Sequence, residues 1–198
     1  NVQQLHDLES FIDFKSYMKE KQPYIKDFCI KPINGTGGQG IHKISDILDA
    51  INFKKEIESK EYMIMPWIDG EEISVDCLRL SNGKLLSIPR YKYSGTRVQE
   101  IKCEKEILDL VEEIDSELDL DIPYNIQFKK QHKSVVLLEM NPRFSGGIHL
   151  SCLTGINIPY LTVKKFLGEQ IDIDENILDK LKHIDSIKVC NVERGIIV

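Results

Sequence analysis

A chain of 198 residues, 41% hydrophobic and with a formal charge of −6, carries enough apolar content for one domain or for two small lobes sharing a cleft. Its charges alternate in short Asp/Glu and Lys/Arg runs with no basic block, which excludes a nucleic-acid or polybasic membrane patch and leaves small molecules or proteins as partners. The longest apolar runs fall far short of the roughly 18 residues a spanning helix needs, and no signal-peptide pattern opens the chain, so a soluble, cytoplasmic protein is expected.

Residues 5 to 20 read as a helix with Leu5, Leu8, Phe11 and Ile12 near one face, and "YIKDFCIKP" reads as a strand ended by Pro32. "INGTGGQGIHKIS" packs glycines 35, 37, 38 and 40 together and resumes a short strand, which is a hairpin with a mobile tip. Ser45 and Asp46 make an N-cap for a helix to about Ser59, followed by the buried strand "EYMIMPWI", broken by Pro66. "EEISVDCLRLSNGKLLSIPRY" alternates on both sides of Asn82-Gly83, a strong hairpin signal. Ile107, Leu110, Val111, Ile114 and Leu118 follow helical spacing, and "YNIQFKKQHKSVVLLEMN" is another hairpin. "IPYLTVKKFLGEQ" predicts a helix ending near Gly168, "DENILDKLKHI" predicts another, and "IKVCNVERGIIV" closes as a strand pair. Hairpins interleaved with helices, without βαβ alternation, give an α+β class. Cys29, Cys77, Cys103, Cys152 and Cys190 form no CxxC pair, which fits reduced, buried thiols better than disulfides or a zinc site.

"GTGGQG" invites a nucleotide reading. A P-loop is excluded, because Ile41 and His42 stand where Gly-Lys-Ser/Thr would continue, and a dinucleotide fingerprint is weak because a strand, not a helix, follows. Side-chain-free glycines do let backbone N–H groups approach phosphate oxygens, with Lys31 adding a point charge. A plain loose turn beside a solvated lysine explains the segment equally well by itself.

The second signal is the end of "VVLLEMNPRFSGG". If the last hairpin turns around Gln131 to Lys133, Gln127 faces Leu138 or Glu139, and Glu139 and Asn141, two apart, share a strand face. One carboxylate and two amide oxygens then converge, a hard-oxygen set suited to Mg²⁺ completed by phosphate oxygens. Arg143 suits a phosphoryl or carboxylate oxygen. The bland alternative is a structural Glu139–Arg143 ion pair at a strand end.

The motifs "IKPINGTGGQGI", "WIDGEEISVDCL", "NIQF" and "LEMNPRFSGG", in this order, make the chain resemble the ATP-grasp superfamily, in its carbamoyl-phosphate synthase large-subunit-like branch. The resemblance implies two α+β lobes with antiparallel sheets gripping ATP, residues 1–66 forming the small lobe with the glycine loop and 67–198 the large lobe with the metal-binding hairpin. It also implies an upstream α/β domain that this chain lacks. By this likeness Lys31, Gly37, Gly38 and Gly40 meet the nucleotide phosphates, the hinge Met65, Pro66, Trp67 and Ile68 reads adenine, and Glu72 meets the ribose. Gln127, Glu139 and Asn141 are then the metal ligands, for Mg²⁺ or Mn²⁺, Arg143 is the catalytic arginine, and Arg90 is a phosphate or substrate contact. The implied activity is an ADP-forming ligase that phosphorylates a carboxylate to an acylphosphate for capture by an amine or other nucleophile. The sequence is compatible with an oligomer, and the alternative is a nucleotide-binding module of a larger protein without ligase activity of its own.

Overall fold

The computed structural model describes residues 3–5, 8–22, 25–34, 40–45, 47–52, 61–93, 96–118, 120–131 and 134–190. The chain divides into two units, Asn1–Ile68 and Asp69–Val198.

The first unit holds strands β1 (Gln3–Leu5), β2 (Phe28–Pro32), β3 (His42–Ile44) and β4 (Tyr62–Pro66) in the antiparallel order β1-β4-β2-β3, with helices α1 (Leu8–Lys21) and α2 (Ile47–Asn52). Phe11, Phe14 and Met18, at i, i+3 and i+7, form the buried stripe of α1 and pack on Phe28, Ile30, Ile44, Tyr62 and Ile64. Phe28 takes the edges of Phe11 and Phe14, with ring centroids 6.4 and 5.9 Å apart. Two details differ from the sequence expectation: the helix starts later because Gln3–Leu5 pairs with β4, and Ile12 is exposed. The strands on either side of the glycine cluster pair as expected, Phe28 to Ile44 and Ile30 to His42. The loop tip and the expected extension of α2 toward Ser59 lie outside the described residues.

The second unit is built on a six-stranded antiparallel sheet in the order β10-β7-β6-β5-β8-β9. Its strands are β5 (Glu71–Arg79), β6 (Leu85–Lys92), β7 (Val98–Ile101), β8 (Tyr124–Gln131), β9 (Ser134–Asn141) and β10 (Ile187–Cys190). The β5–β6 turn uses Gly83 at φ 81°, a conformation glycine adopts without Cβ strain. One sheet face is apolar: Ile73, Val75, Cys77, Tyr91, Tyr124, Ile126 and Phe128 pack against Ile107 and Val111 of helix α3 (Lys105–Leu118). The other face is divided. Leu78, Leu86, Ile88 and Ile101 pack under α4 (Ile148–Ser151), α5 (Ile158–Phe166) and α6 (Glu175–Lys182), while the remaining positions of that face are polar. Val98–Ile101 was not anticipated as a strand, and it, not a neighbouring segment, pairs with Ile187–Cys190; residues 191–198 lie outside the described residues. The five cysteines form no disulfide.

Candidate functional site

The sheet register of the second unit lines up its polar residues in rows. Directly opposed residues share a face, so Arg90, Ser74, Gln127 and Glu139 form one row across β6, β5, β8 and β9. Ile88, Asp76, Asn125 and Asn141 form the next, and Lys92, Glu72 and Lys129 the row on the other side.

Glu139 and Asn141 reach this face because of a β-bulge. Gln127 pairs with Glu139, but Phe128 pairs with Leu137, so Leu138 is the unpaired extra residue. Side chains alternate with period two, so an unbulged strand would continue the parity of Val135, whose side chain packs toward the apolar core. Beyond the bulge Met140 takes the core side instead, and Glu139 and Asn141 turn to the polar one. Of the two registers compatible with the sequence, the structure has Glu139 opposite Gln127.

The amides and carboxylates are oriented by hydrogen bonds. Asn141 Nδ2 donates to Glu139 Oε1 at 3.0 Å, and Arg143 donates through Nη2 to Asn141 Oδ1 at 3.2 Å and through Nη1 to the Phe144 carbonyl at 2.9 Å. Gln127 Nε2 donates to Asn125 Oδ1 at 3.2 Å, which leaves Gln127 Oε1 as the end that can face a cation. No cluster of three or more His, Cys, Asp or Glu side chains able to hold a metal occurs among the described residues. The donor set is therefore one carboxylate with neighbouring amide oxygens, which fits Mg²⁺ with phosphate and water oxygens filling the remaining positions.

Arg90, expected to touch a phosphate or the substrate, has its guanidinium buried, 1% exposed, and committed inside the protein. Nη2 bonds Asp76 Oδ2 at 3.0 Å and Ser145 Oγ at 2.7 Å, Nε bonds Ser151 Oγ at 2.8 Å, and Nη1 bonds Gln99 Oε1 at 2.5 Å. Glu72 is in an ion pair with Lys92, and Lys129 lies 3.8 Å from its second oxygen.

In the first unit Lys31, Cys29, Met63, Met65 and Lys43 occupy the sheet face opposite the α1 core, because Lys31 pairs with Met63 and Cys29 with both Met65 and Lys43. Pro66 has no N–H, and the Trp67 N–H is donated to the Asp27 carbonyl at 2.9 Å, so neither offers a donor to a base edge. The Lys43 ammonium lies 5.4 Å from the Trp67 ring centroid and 2.6 Å from Asp27, whose carboxyl it holds below the usual range. Gly40 has φ 75°, and a Cβ there would meet the Pro32 ring. Gly37 and Gly38 lie outside the described residues.

The residues missed from sequence are Ser74, Asp76, Asn125, Ser145 and Ser151, all buried and polar. For Ser74, Asp76 and Asn125 the signal was present as period-two polarity: Glu72, Ser74 and Asp76 on one strand, Asn125, Gln127 and Lys129 on another.

A family model described as ATP-grasp in the biosynthetic pathway with Ter operon matches residues 58–193. The chain belongs to this ATP-grasp family. The carbamoyl phosphate synthase large chain of Caldanaerobacter subterraneus subsp. tengcongensis is 28% identical over 162 residues, covering 72% of this chain and 15% of that protein. This ATP-grasp chain thus spans about 15% of the length of the curated relatives it matches. Among solved structures, the biotin carboxylase domain dimer of the Hydrogenobacter thermophilus 2-oxoglutarate carboxylase, in complex with MgADP, ADP and bicarbonate, superposes with a TM-score of 0.67 at 16% identity, over 87% of this chain and 42% of that one. The L-amino acid ligase of Bacillus licheniformis gives 0.61 at 17% identity, over 88% and 46%. These likenesses show that the α+β architecture is the ATP-grasp fold.

Proposed function

We propose that this chain is the ATP-binding and phosphoryl-transfer part of an ADP-forming ligase that activates a carboxylate as its acylphosphate for attack by an amine or a related nucleophile. The observation that carries the reading is the row of Gln127 and Glu139 with Asn141 on the same sheet face and Arg143, just past the strand end, bonded to Asn141: oxygen ligands for a cation next to a guanidinium. Gln127, Glu139 and Asn141 would hold Mg²⁺, with Mn²⁺ able to replace it, and the ion supplies neutralisation of phosphate charge. Arg143, exposed and tethered to Asn141, supplies a fork that binds the transferred phosphoryl group or the carboxylate it reaches. Lys31 and the glycine loop residues Gly37, Gly38 and Gly40 meet phosphate oxygens, the hinge Met65, Pro66, Trp67 and Ile68 takes the base, without an N–H donor from Pro66 or Trp67, and Glu72 takes the ribose. No residue need act as a covalent nucleophile, because positioning and charge stabilisation supply most of the catalysis in phosphoryl transfer.

The relatives support this reading in their own terms: one is crystallised with MgADP and bicarbonate, and another is named an L-amino acid ligase. The carboxylate, the nucleophile and any partner copy belong to the same proposal, as does a cytoplasmic location, where MgATP is abundant. Among the described residues no helix is long and apolar enough to cross a membrane.

The test is thermal unfolding with and without MgATP. A ligand at about 100 times its Kd adds about 2.7 kcal/mol, which at this length raises the midpoint by about 5 to 10 °C. Glu139→Ala is expected to lose the magnesium-dependent part of that shift and the ADP release seen with a productive carboxylate and amine pair. A Glu139→Ala protein that keeps both overturns the assignment.

A further inference from the structure

A glutamine is an awkward metal ligand. Its amide presents an oxygen or an NH₂ depending on a half-turn about χ3, a torsion with a broad, roughly two-fold preference, and only the oxygen can face a cation. Gln127 lies at the end of a buried hydrogen-bond relay in which every direction is forced.

Arg90 can only donate, and it donates to Asp76 Oδ2 at 3.0 Å; Ser151 Oγ, which accepts from Arg90 Nε, donates to the same oxygen at 2.6 Å. The other oxygen of Asp76, Oδ1, can only accept, and it faces Asn125 at 3.0 Å. A second obligate acceptor, the Val75 carbonyl, lies 3.0 Å from the same end of Asn125. That end must therefore be the NH₂, and Asn125 Oδ1 must point the other way, toward Gln127. Only the NH₂ of Gln127 can meet it, so Oε1 is the end of that amide left for a cation. Asp76, Arg90 and Asn125 are each no more than 1% exposed, so water does not compete for these groups.

We propose that Asn125, its own amide locked by the buried Asp76–Arg90 pair, is a positioning residue that dictates which end of the Gln127 amide faces the metal point. The same pair steadies the other side of the site, since Arg90 also holds Ser145, two residues beyond Arg143, and Ser151 of α4. This inference rests on the metal-site reading above. A glutamate at position 127, with two equivalent oxygens, would need no such device.

The test uses the 198-residue chain with Mn²⁺ and ADP as the probe, followed by the free Mn²⁺ signal in electron paramagnetic resonance. Asn125→Leu is expected to weaken Mn²⁺ binding by about 10- to 100-fold, the usual effect of removing a group that orients a metal ligand. The double variant Asn125→Leu/Gln127→Glu is expected to recover to the affinity of Gln127→Glu alone, whereas a purely structural defect at position 125 would leave it as far below that variant as Asn125→Leu lies below the parent. Asn125→Ser, which is too short to span Asp76 and Gln127, serves if the leucine variant fails to fold. Parent-like binding in the single variants, or no recovery in the double, overturns the proposal. Undiminished binding in Glu139→Ala would instead overturn the metal site itself. In that case side-chain amide exchange of Gln127 in the metal-free chain still judges the relay: its NH₂ protons should be protected in the parent and exchange faster in the position-125 variants, and equal exchange refutes it.

Discussion

Gly147 and Arg90 are in such close approach that no side chain fits between them: a Cβ on Gly147 would lie 3.0 Å from Arg90 Cζ and closer still to Nη1. The adjacent Gly146 has open space at the same position. The paired glycines of "FSGG" therefore differ in kind, one required by contact and the other free of it. Gly147→Ala is expected to destabilise the protein by about 1 to 3 kcal/mol, the usual cost of overpacking, whereas Gly146→Ala stays near neutral. Equal denaturation midpoints for the two variants would contradict the contact.

Asp76 and Arg90 form an ion pair at 3.0 Å with side chains 2% and 1% exposed. Removing one partner strands a buried charge, so Asp76→Ala should cost about 3 to 5 kcal/mol in urea denaturation. Replacing both members by apolar residues, Asp76→Leu with Arg90→Met, is expected to cost less than the single change. A single variant no worse than the double would show that the pair is not desolvated as described.

Glu104 gives an acid-side dependence of stability. Burial pushes its carboxyl upward, but hydrogen bonds from Lys130 and Lys102 outweigh that and hold it below 4.5. A carboxyl depressed in the folded state contributes stability that is complete above its unfolded pKa and is lost as pH falls through the folded one. The parent should therefore be more stable than Glu104→Gln at neutral pH, with the gap closing on acidification. Denaturation curves at several pH values check this; a gap constant with pH would contradict it.

Thiol labelling should separate the cysteines by burial. Burial pushes Cys103 up to about 11 and raises Cys77 as well, so neither has appreciable thiolate at neutral pH. Cys190 is exposed and should react with an alkylating reagent well before either. Peptide mass spectrometry at successive times reads the order, and early modification of Cys77 would mean that the sheet core opens readily.

The periodic signals were legible in the sequence. The Asn82-Gly83 hairpin, α3 and the β8–β9 pair follow from alternation and helical spacing alone, and the ligand candidates follow from where β9 ends. What was not legible depends on partners distant in sequence. Gln3–Leu5 is a strand only because β4 offers it an edge, and Ile187–Cys190 finds its partner in Val98–Ile101. Arg90 was expected as a phosphate or substrate contact; its burial depends on Asp76, Ser145 and Ser151 arriving from three other segments. Buried polar groups must be satisfied, and a single sequence does not display which groups will satisfy them.

The unpaired Leu138 gives the last hairpin something like a reading frame. Val135 and Leu137 share one parity, and the single unpaired residue after them resets the count, so that Met140 falls on the core side and Glu139 and Asn141 on the polar one. Were the ladder to close without the bulge, with Leu138 opposite Gln127, Glu139 and Asn141 would rotate into the side now filled by Met140, and Met140 would surface among the polar rows. The composition would be unchanged and the chemistry inverted. Deleting Leu138, by contrast, would join Leu137 directly to Glu139 and leave the frame beyond it intact, so in this hairpin the pairing decides which side chains face the site, whatever residue occupies the bulge.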